Sequence, residues 1–206
     1  MAQEPSHTPA LILASASPRR RELLAQLGVS FTVAPADIDE GVAAGEAPQD
    51  YVRRMAVGKA QAGYAQALTV GLEPGLAVLG ADTTVVVGKR ILGKPQHKAD
   101  ALRMLAQLSG RTHLVLSAVA VTDGLRVEDR ISITEVSFRH IRPAEAAAYW
   151  ATGEPCDKAG AYAVQGLGAL FVQQLKGSYT GIVGLPLYET AELLALFGCR
   201  LGLEPE

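Results

Sequence analysis

The chain has 206 residues, of which 49% are hydrophobic and 19% charged, with a formal net charge of −2. That composition excludes a disordered chain, and the length suffices to bury a sizeable core. The weak negative charge and 5% aromatic content argue against nucleic acid as a partner, and the lack of about 18 consecutive apolar residues argues against a membrane span. Residues 1–8 are polar and read as a flexible tail ahead of a single domain over 9–200. The apolar run Ala10–Ala14 is too short for a signal segment and no Lys or Arg precedes it. A strand is predicted over 10–15, a helix over 18–27 ended by Gly28, and a strand over 30–35. A long helix covers 48–68, and Gly71-Leu72-Glu73-Pro74-Gly75 reads as a turn. The strand predicted over 77–87 is expected to bend or bulge near Gly80-Ala81-Asp82, with Gly88-Lys89-Arg90 as a hairpin turn. Leu102, Leu105 and Leu108 mark a helix over 98–109. Strands over 112–122 and 128–139 flank the turn Thr122-Asp123-Gly124. Pro143 starts a helix to 151, a glycine-rich loop spans 153–168, a strand covers 169–176, and a last helix runs from Pro186 to Phe197. Helices alternate with strands but hairpins interrupt, so the expected class is α/β with a mixed, partly antiparallel sheet flanked by helices. Cys156 and Cys199 lack the spacing of a zinc site or disulfide framework and read as reduced thiols of a cytoplasmic protein.

Five features carry chemistry. Ser17-Pro18 reads as a helix cap with proline at the first position, yet Arg19, Arg20 and Arg21 follow where the helix dipole disfavours cations. Either the guanidinium groups point into water or they hold an anion, as helix N-termini hold phosphates. Asp37-Ile38-Asp39-Glu40 follows a strand and is either a solvated acidic turn or a set of hard oxygen ligands for a divalent cation. Lys59 falls on or beside the apolar stripe Val52-Met55-Ala56-Ala60-Ala67, where it either snorkels outward or points into a cleft. Asp82 interrupts an apolar strand, and an ionised carboxylate there needs a cation, donors or a metal. A structural salt bridge and an active-site acid explain it equally, with Lys94 across the turn as its expected partner. Finally, Asp157 to Gly166 and Gly177 to Pro186 are glycine-rich, which permits close backbone approach to a ligand. Gln165 among them offers the donor and acceptors that suit a nucleobase edge.

The ordered set resembles the Maf nucleotide pyrophosphatases. Its motifs here are Leu13-Ala14-Ser15-Ala16-Ser17-Pro18-Arg19-Arg20, Gly80-Ala81-Asp82-Thr83 and Lys94-Pro95. They continue with Asp157-Lys158-Ala159-Gly160-Ala161-Tyr162, Gln165-Gly166 and Val183-Gly184-Leu185-Pro186-Leu187. The resemblance runs from 10 to 197, with Ala16 where the family has glycine. It implies an elongated Maf/ITPase-like fold of two lobes around a central cleft, commonly dimeric, hence a homodimer here. It further implies hydrolysis of a nucleoside triphosphate to monophosphate and pyrophosphate with a divalent metal, Mg2+ or Mn2+.

On that resemblance the acid/base residue falls on Asp82, and further cleft residues on Ser15, Arg20, Glu40, Lys59 and Lys94. The catalytic set is Asp82, Glu40 and Lys94. Glu40 and Asp82, with Asp39 beside them, are the metal ligands. Arg19, Thr83 and Gln165 stand at the positions that separate the dTTP/UTP branch from the 7-methyl-GTP branch, and all three match the former. The expected role is cleansing of the nucleotide pool. A regulatory nucleotide- or nucleic-acid-binding module affecting cell division is the alternative, and a nucleotidyltransferase using similar cations is another.

Overall fold

A computed structural model describes residues 11–71 and 75–202. The expected tail over 1–8 and the middle of the turn at 71–75 lie outside them. Among the described residues seven strands form one mixed sheet in the order β2-β1-β3-β5-β6-β7, with β4 paired to β3. They are β1 (Leu11–Leu13), β2 (Phe31–Val33), β3 (Ala77–Val87), β4 (Arg90–Leu92), β5 (Thr112–Thr122), β6 (Val127–Phe138) and β7 (Val172–Lys176). The helices are α1 (Pro18–Ala25), α2 (Pro48–Thr69), α3 (Lys98–Leu108), α4 (Pro143–Ala151), α5 (Tyr179–Val183) and α6 (Leu187–Leu196). Among the described residues no helix is long and apolar enough to cross a membrane.

β1 runs parallel to both β2 and β3, and every other pairing is antiparallel. From β1 the chain first pairs on one side with β2, then crosses to β3 on the other. Such a reversal leaves a crevice at the carboxyl ends of the strands. β1 releases β3 at Leu79 and β4 engages it only from Val85, so neither strand covers that edge in between. The edge carries Asp82 and Thr83.

β3 also links two cores. Val85 joins Leu105, Leu108, Phe138, Tyr149 and Phe171 in one. Leu79 and Ala81 join Leu11, Leu24, Val119 and Leu193 in the other. The open edge lies between these two packed bodies.

The long helix α2 packs on the opposite face of β3 through its smallest residues. A Cβ at Gly80 would lie 2.4 Å from the Ala56 carbonyl oxygen and 2.4 Å from the Ala60 nitrogen, and one at Gly63 2.7 Å from Ala14 Cβ. The apolar stripe of α2 is thin in its middle because its backbone approaches the sheet directly there. Close approach brings Lys59 within reach of β3.

Three expectations are corrected. β3 pairs with β5 without a register shift through Gly80, Ala81 and Asp82, so it has no bulge there. The irregularity in the sheet lies instead between Ser137 and Phe138 of β6. The strand expected from 169 begins at 172, after a 3-10 turn over Leu167–Phe171. The Ala169 amide is spent on Gly166 O at 3.0 Å within that turn, so it is lost to the ladder. Lastly, α5 had no sequence signal. Its Thr, Gly, Ile and Val are poor helix formers. The turn is held by Ser178 Oγ accepting from Gly181 N at 3.0 Å and by Ser117 Oγ donating to Gly181 O at 2.6 Å.

Candidate active site

A cavity of about 720 Å³ opens at the uncovered edge of β3. Its walls include Ser15, Arg19, Arg20, Glu40, Lys59, Asp82, Thr83, Lys94 and Gln165. All nine of these expected site residues therefore border one space, and of the expected set only Asp39 does not. Asp37 lines it as well. Asp39 turns away, its Oδ1 accepting from Gly41 N at 2.8 Å on the exposed loop.

Asp82 and Thr83 are adjacent on a strand, so their side chains leave opposite faces of the sheet. The open edge lets both reach the same cavity. On the α2 face, Lys59 Nζ lies 2.8 Å from Asp82 Oδ1 and 2.6 Å from Glu40 Oε1. The Lys59 and Asp82 side chains are only 11% and 13% exposed, whereas Glu40 is 55% exposed at the mouth. The ammonium thus points into the cleft instead of snorkelling outward. It is Lys59, not Lys94, that pairs with Asp82. The hydrogen bond from Lys59 holds the Glu40 carboxyl below its ordinary pKa against the opposing effect of burial, with Lys94 and Arg20 adding to the lowering. α2 also fixes the loop that carries Glu40. Tyr51 Oη donates to Glu40 O at 3.2 Å, and Arg54 Nη2 donates to Gly41 O at 2.8 Å. Burial, then Asp82 and Glu40, push the Tyr51 hydroxyl up to about 12, so it stays a donor.

The other face is built by α1 and the turn after α5. Ser17 caps α1, its Oγ accepting from Arg20 N at 3.4 Å. Arg20 then turns back into the cleft, donating from Nε to Gly184 O at 2.9 Å and from Nη1 to Ser15 Oγ at 3.3 Å. Desolvation lowers its pKa, with Asp82 and Glu40 opposing, and a guanidinium so shifted remains a cation at neutral pH. Arg19 stands at the rim, with Nη1 3.6 Å from Asp157 Oδ2. Asp157 is also paired with Lys158. Arg21, by contrast, is exposed.

Thr83 Oγ1 lies 2.9 Å from Ser117 Oγ and 3.4 Å from Gly184 O. Ser117 spends its proton on Gly181 O, so it accepts from Thr83. The lone pairs of Thr83 are left for a ligand. At the far end Gln165 is exposed on the loop after Tyr162, and its amide makes no hydrogen bond among the described residues. The adjoining turn is strained: Gly160 and Ala161 have φ of 69° and 60°, an uncommon conformation for a buried alanine.

The site therefore presents cations on both faces and two carboxylates that share one ammonium. Glu40 and Asp82 offer hard oxygen donors of the kind a divalent cation takes. Among the described residues no group of three or more His, Cys, Asp or Glu side chains is placed to hold a metal unaided. Sequence reasoning singled out Gly184 within a motif but missed Tyr51 and Ser117. Of the two missed, only Ser117, a lone hydroxyl in the apolar run of β5, left a signal.

Comparison with known proteins identifies the family. The model of the Maf-like protein family matches residues 10–197. A dTTP/UTP pyrophosphatase of Aromatoleum aromaticum is 52% identical over 200 residues, covering 93% of this chain and 97% of the relative. One of Saccharophagus degradans is 54% identical over 188 residues, covering 91% and 88%. Another, of Moorella thermoacetica, is 53% identical over 190 residues, covering 91% and 95%. A match across both faces of the cleft at this identity shows that the chain belongs to the Maf-like protein family.

Proposed function

We propose that this protein hydrolyses dTTP and UTP to the monophosphate and pyrophosphate and so cleanses the nucleotide pool. The observation that carries the reading is the convergence of Arg20, Lys59, Lys94, Glu40 and Asp82 on one cavity. Its volume falls within the range of small-molecule sites. The relatives named dTTP/UTP pyrophosphatase support the substrate class.

Arg20, Lys59 and Lys94 clamp the triphosphate, and the Ser15–Ser17 turn adds hydrogen bonds to its oxygens. Binding replaces water around the phosphates with fixed cations, which stabilises charge as it develops in the transition state. Asp82 accepts a proton from the water that attacks the α-phosphorus, and pyrophosphate leaves. Glu40 and Asp82 would hold a magnesium or manganese ion, which when bound supplies positive charge against the phosphates and acidifies water. Thr83 as an acceptor and Gln165 as donor and acceptor match the imide edge of uracil or thymine. Arg19 closes the rim.

The test is a panel of nucleoside triphosphates assayed for pyrophosphate release. UTP and dTTP are expected to exceed ATP and GTP by at least about tenfold in kcat/KM, the discrimination of one well-placed polar contact. A chelator is expected to abolish turnover, and added Mg2+ or Mn2+ to restore it. Equal rates across the panel overturn the specificity assignment; full activity with chelator overturns the metal assignment.

A further inference from the structure

Gln165 sits on an arch, residues 163–168, that is tied down on both sides from behind the cavity. On one side Tyr149 Oη of α4 accepts from Ala163 N at 3.0 Å. On the other, Glu154 Oε2 accepts from Leu167 N at 2.9 Å and Oε1 from Gly168 N at 3.0 Å. Tyr149 donates its hydroxyl proton to Glu154 Oε1 at 2.7 Å, which joins the two ties into one clamp. The tyrosine ring is fixed edge-on against Phe171, with centroids 5.1 Å apart. A Cβ at Gly166 would come within 2.4 Å of Glu154 Oε2, and one at Gly168 within 2.7 Å of Tyr149 Oη. The glycines of the arch thus let the backbone close onto these two side chains. Ala163, Val164 and Gln165 all border the cleft; Ala163 and Val164 are buried, and Gln165 is the exposed one of the three, with a polar side chain to offer a base.

We infer that Glu154 and Tyr149 are positioning residues for pyrimidine recognition, acting through the Gln165 carboxamide without touching the nucleotide. This inference rests on the dTTP/UTP pyrophosphatase reading. Neither side chain borders the cavity, so any effect on substrate choice must pass along the arch. Three backbone amides held within six residues leave the arch few ways to move, and a preorganised Gln165 loses less freedom when a base docks. Glu154 is fully used by these contacts. The hydrogen bonds from Tyr149, Gly168 and Leu167 outweigh the upward push of burial and hold its carboxyl below the ordinary value, so the clamp is closed at neutral pH.

The experiment is a double-mutant cycle between Glu154→Gln and Gln165→Ala, read as kcat/KM for UTP and for ATP. Glutamine at 154 keeps the shape but turns an amide NH2 toward one of the backbone donors, which opens the clamp. Glu154→Gln is expected to raise KM for UTP about tenfold with kcat changed less than about twofold, and to lower the UTP/ATP ratio about tenfold. In the Gln165→Ala background it is expected to add less than about twofold, because the group it positions is gone. Tyr149→Phe keeps the ring and removes the hydroxyl, and is expected to shift the ratio in the same direction by a smaller factor; it serves also if the Glu154 variant fails to fold. Equal losses for UTP and ATP, or the same loss with and without Gln165, overturn the positioning role and leave the pyrophosphatase reading standing. A wild-type protein that hydrolyses neither UTP nor dTTP overturns both, and the first arm shows it before any variant is made.

Discussion

Asp82→Asn is expected to lower kcat for UTP by about a thousandfold while nucleotide affinity stays within a few-fold, in keeping with the loss of a general base. Asparagine has the same shape, but it cannot take a proton from water. Lys59 keeps its contact with Glu40, so the substitution does not strand a buried ammonium. Arg20 and Lys94, the proposed phosphate grip, are untouched. Single-turnover kinetics together with titration of a UTP analogue that cannot be cleaved between the α- and β-phosphates separates the two effects. A rate near wild type places the base elsewhere. A matching loss of affinity makes Asp82 a binding group instead.

Lys59→Met carries the second large effect, a fall in kcat/KM of about a hundredfold or more, because one ammonium contacts both carboxylates and lines the cavity proposed to take the triphosphate. The variant also shifts pH dependence. Lys59 is the main cause of the lowered pKa of Glu40. In the wild type, the stability that Glu40 contributes is present above the ordinary carboxylate value of about 4.3 and is lost as pH falls through the depressed folded value. Without Lys59 the carboxyl titrates nearer its ordinary value or above it, so the acid limb of kcat/KM is expected to move to higher pH. Removing the partner of Asp82, whose side chain is mostly buried, further costs about 3 kcal/mol, while the exposed Glu40 contact adds little. Thermal unfolding and a pH–rate profile measure the two consequences. An unmoved acid limb contradicts the assignment of Lys59 as the group that controls Glu40.

Much of this site was legible because its residues break local rules. Asp82 interrupts an apolar strand, Lys59 interrupts an apolar stripe, and Arg20 stands where a helix start repels cations. Each violation is costly on its own terms and is relieved only when the groups meet. The sequence left open whether they meet, since a salt bridge and an active-site acid leave the same trace at Asp82. The structure shows the ion pair and sets it on the wall of the cavity. The hairpins at Gly88-Lys89-Arg90 and Thr122-Asp123-Gly124 were equally plain, because turn residues report local backbone needs.

What escaped prediction is what depends on distant partners. Lys94 is nearer to Asp82 in sequence than Lys59, yet the pairing follows the close approach of α2 allowed by Gly80 and Gly63. α5 forms because Ser117, 64 positions upstream of Gly181, donates to its carbonyl. Glu154 precedes a proline in a glycine-rich stretch and carries no local mark of its tie to the amides at 167 and 168. Periodicity reads the faces of elements; it does not read which loops those faces clasp.

The most direct test of the account is hydrolysis of UTP in water enriched in oxygen-18, with the products separated and weighed. Attack on the α-phosphorus by water bound beside Asp82 places the label in UMP and leaves the pyrophosphate unlabelled. Label in pyrophosphate, or release of UDP with inorganic phosphate, contradicts it.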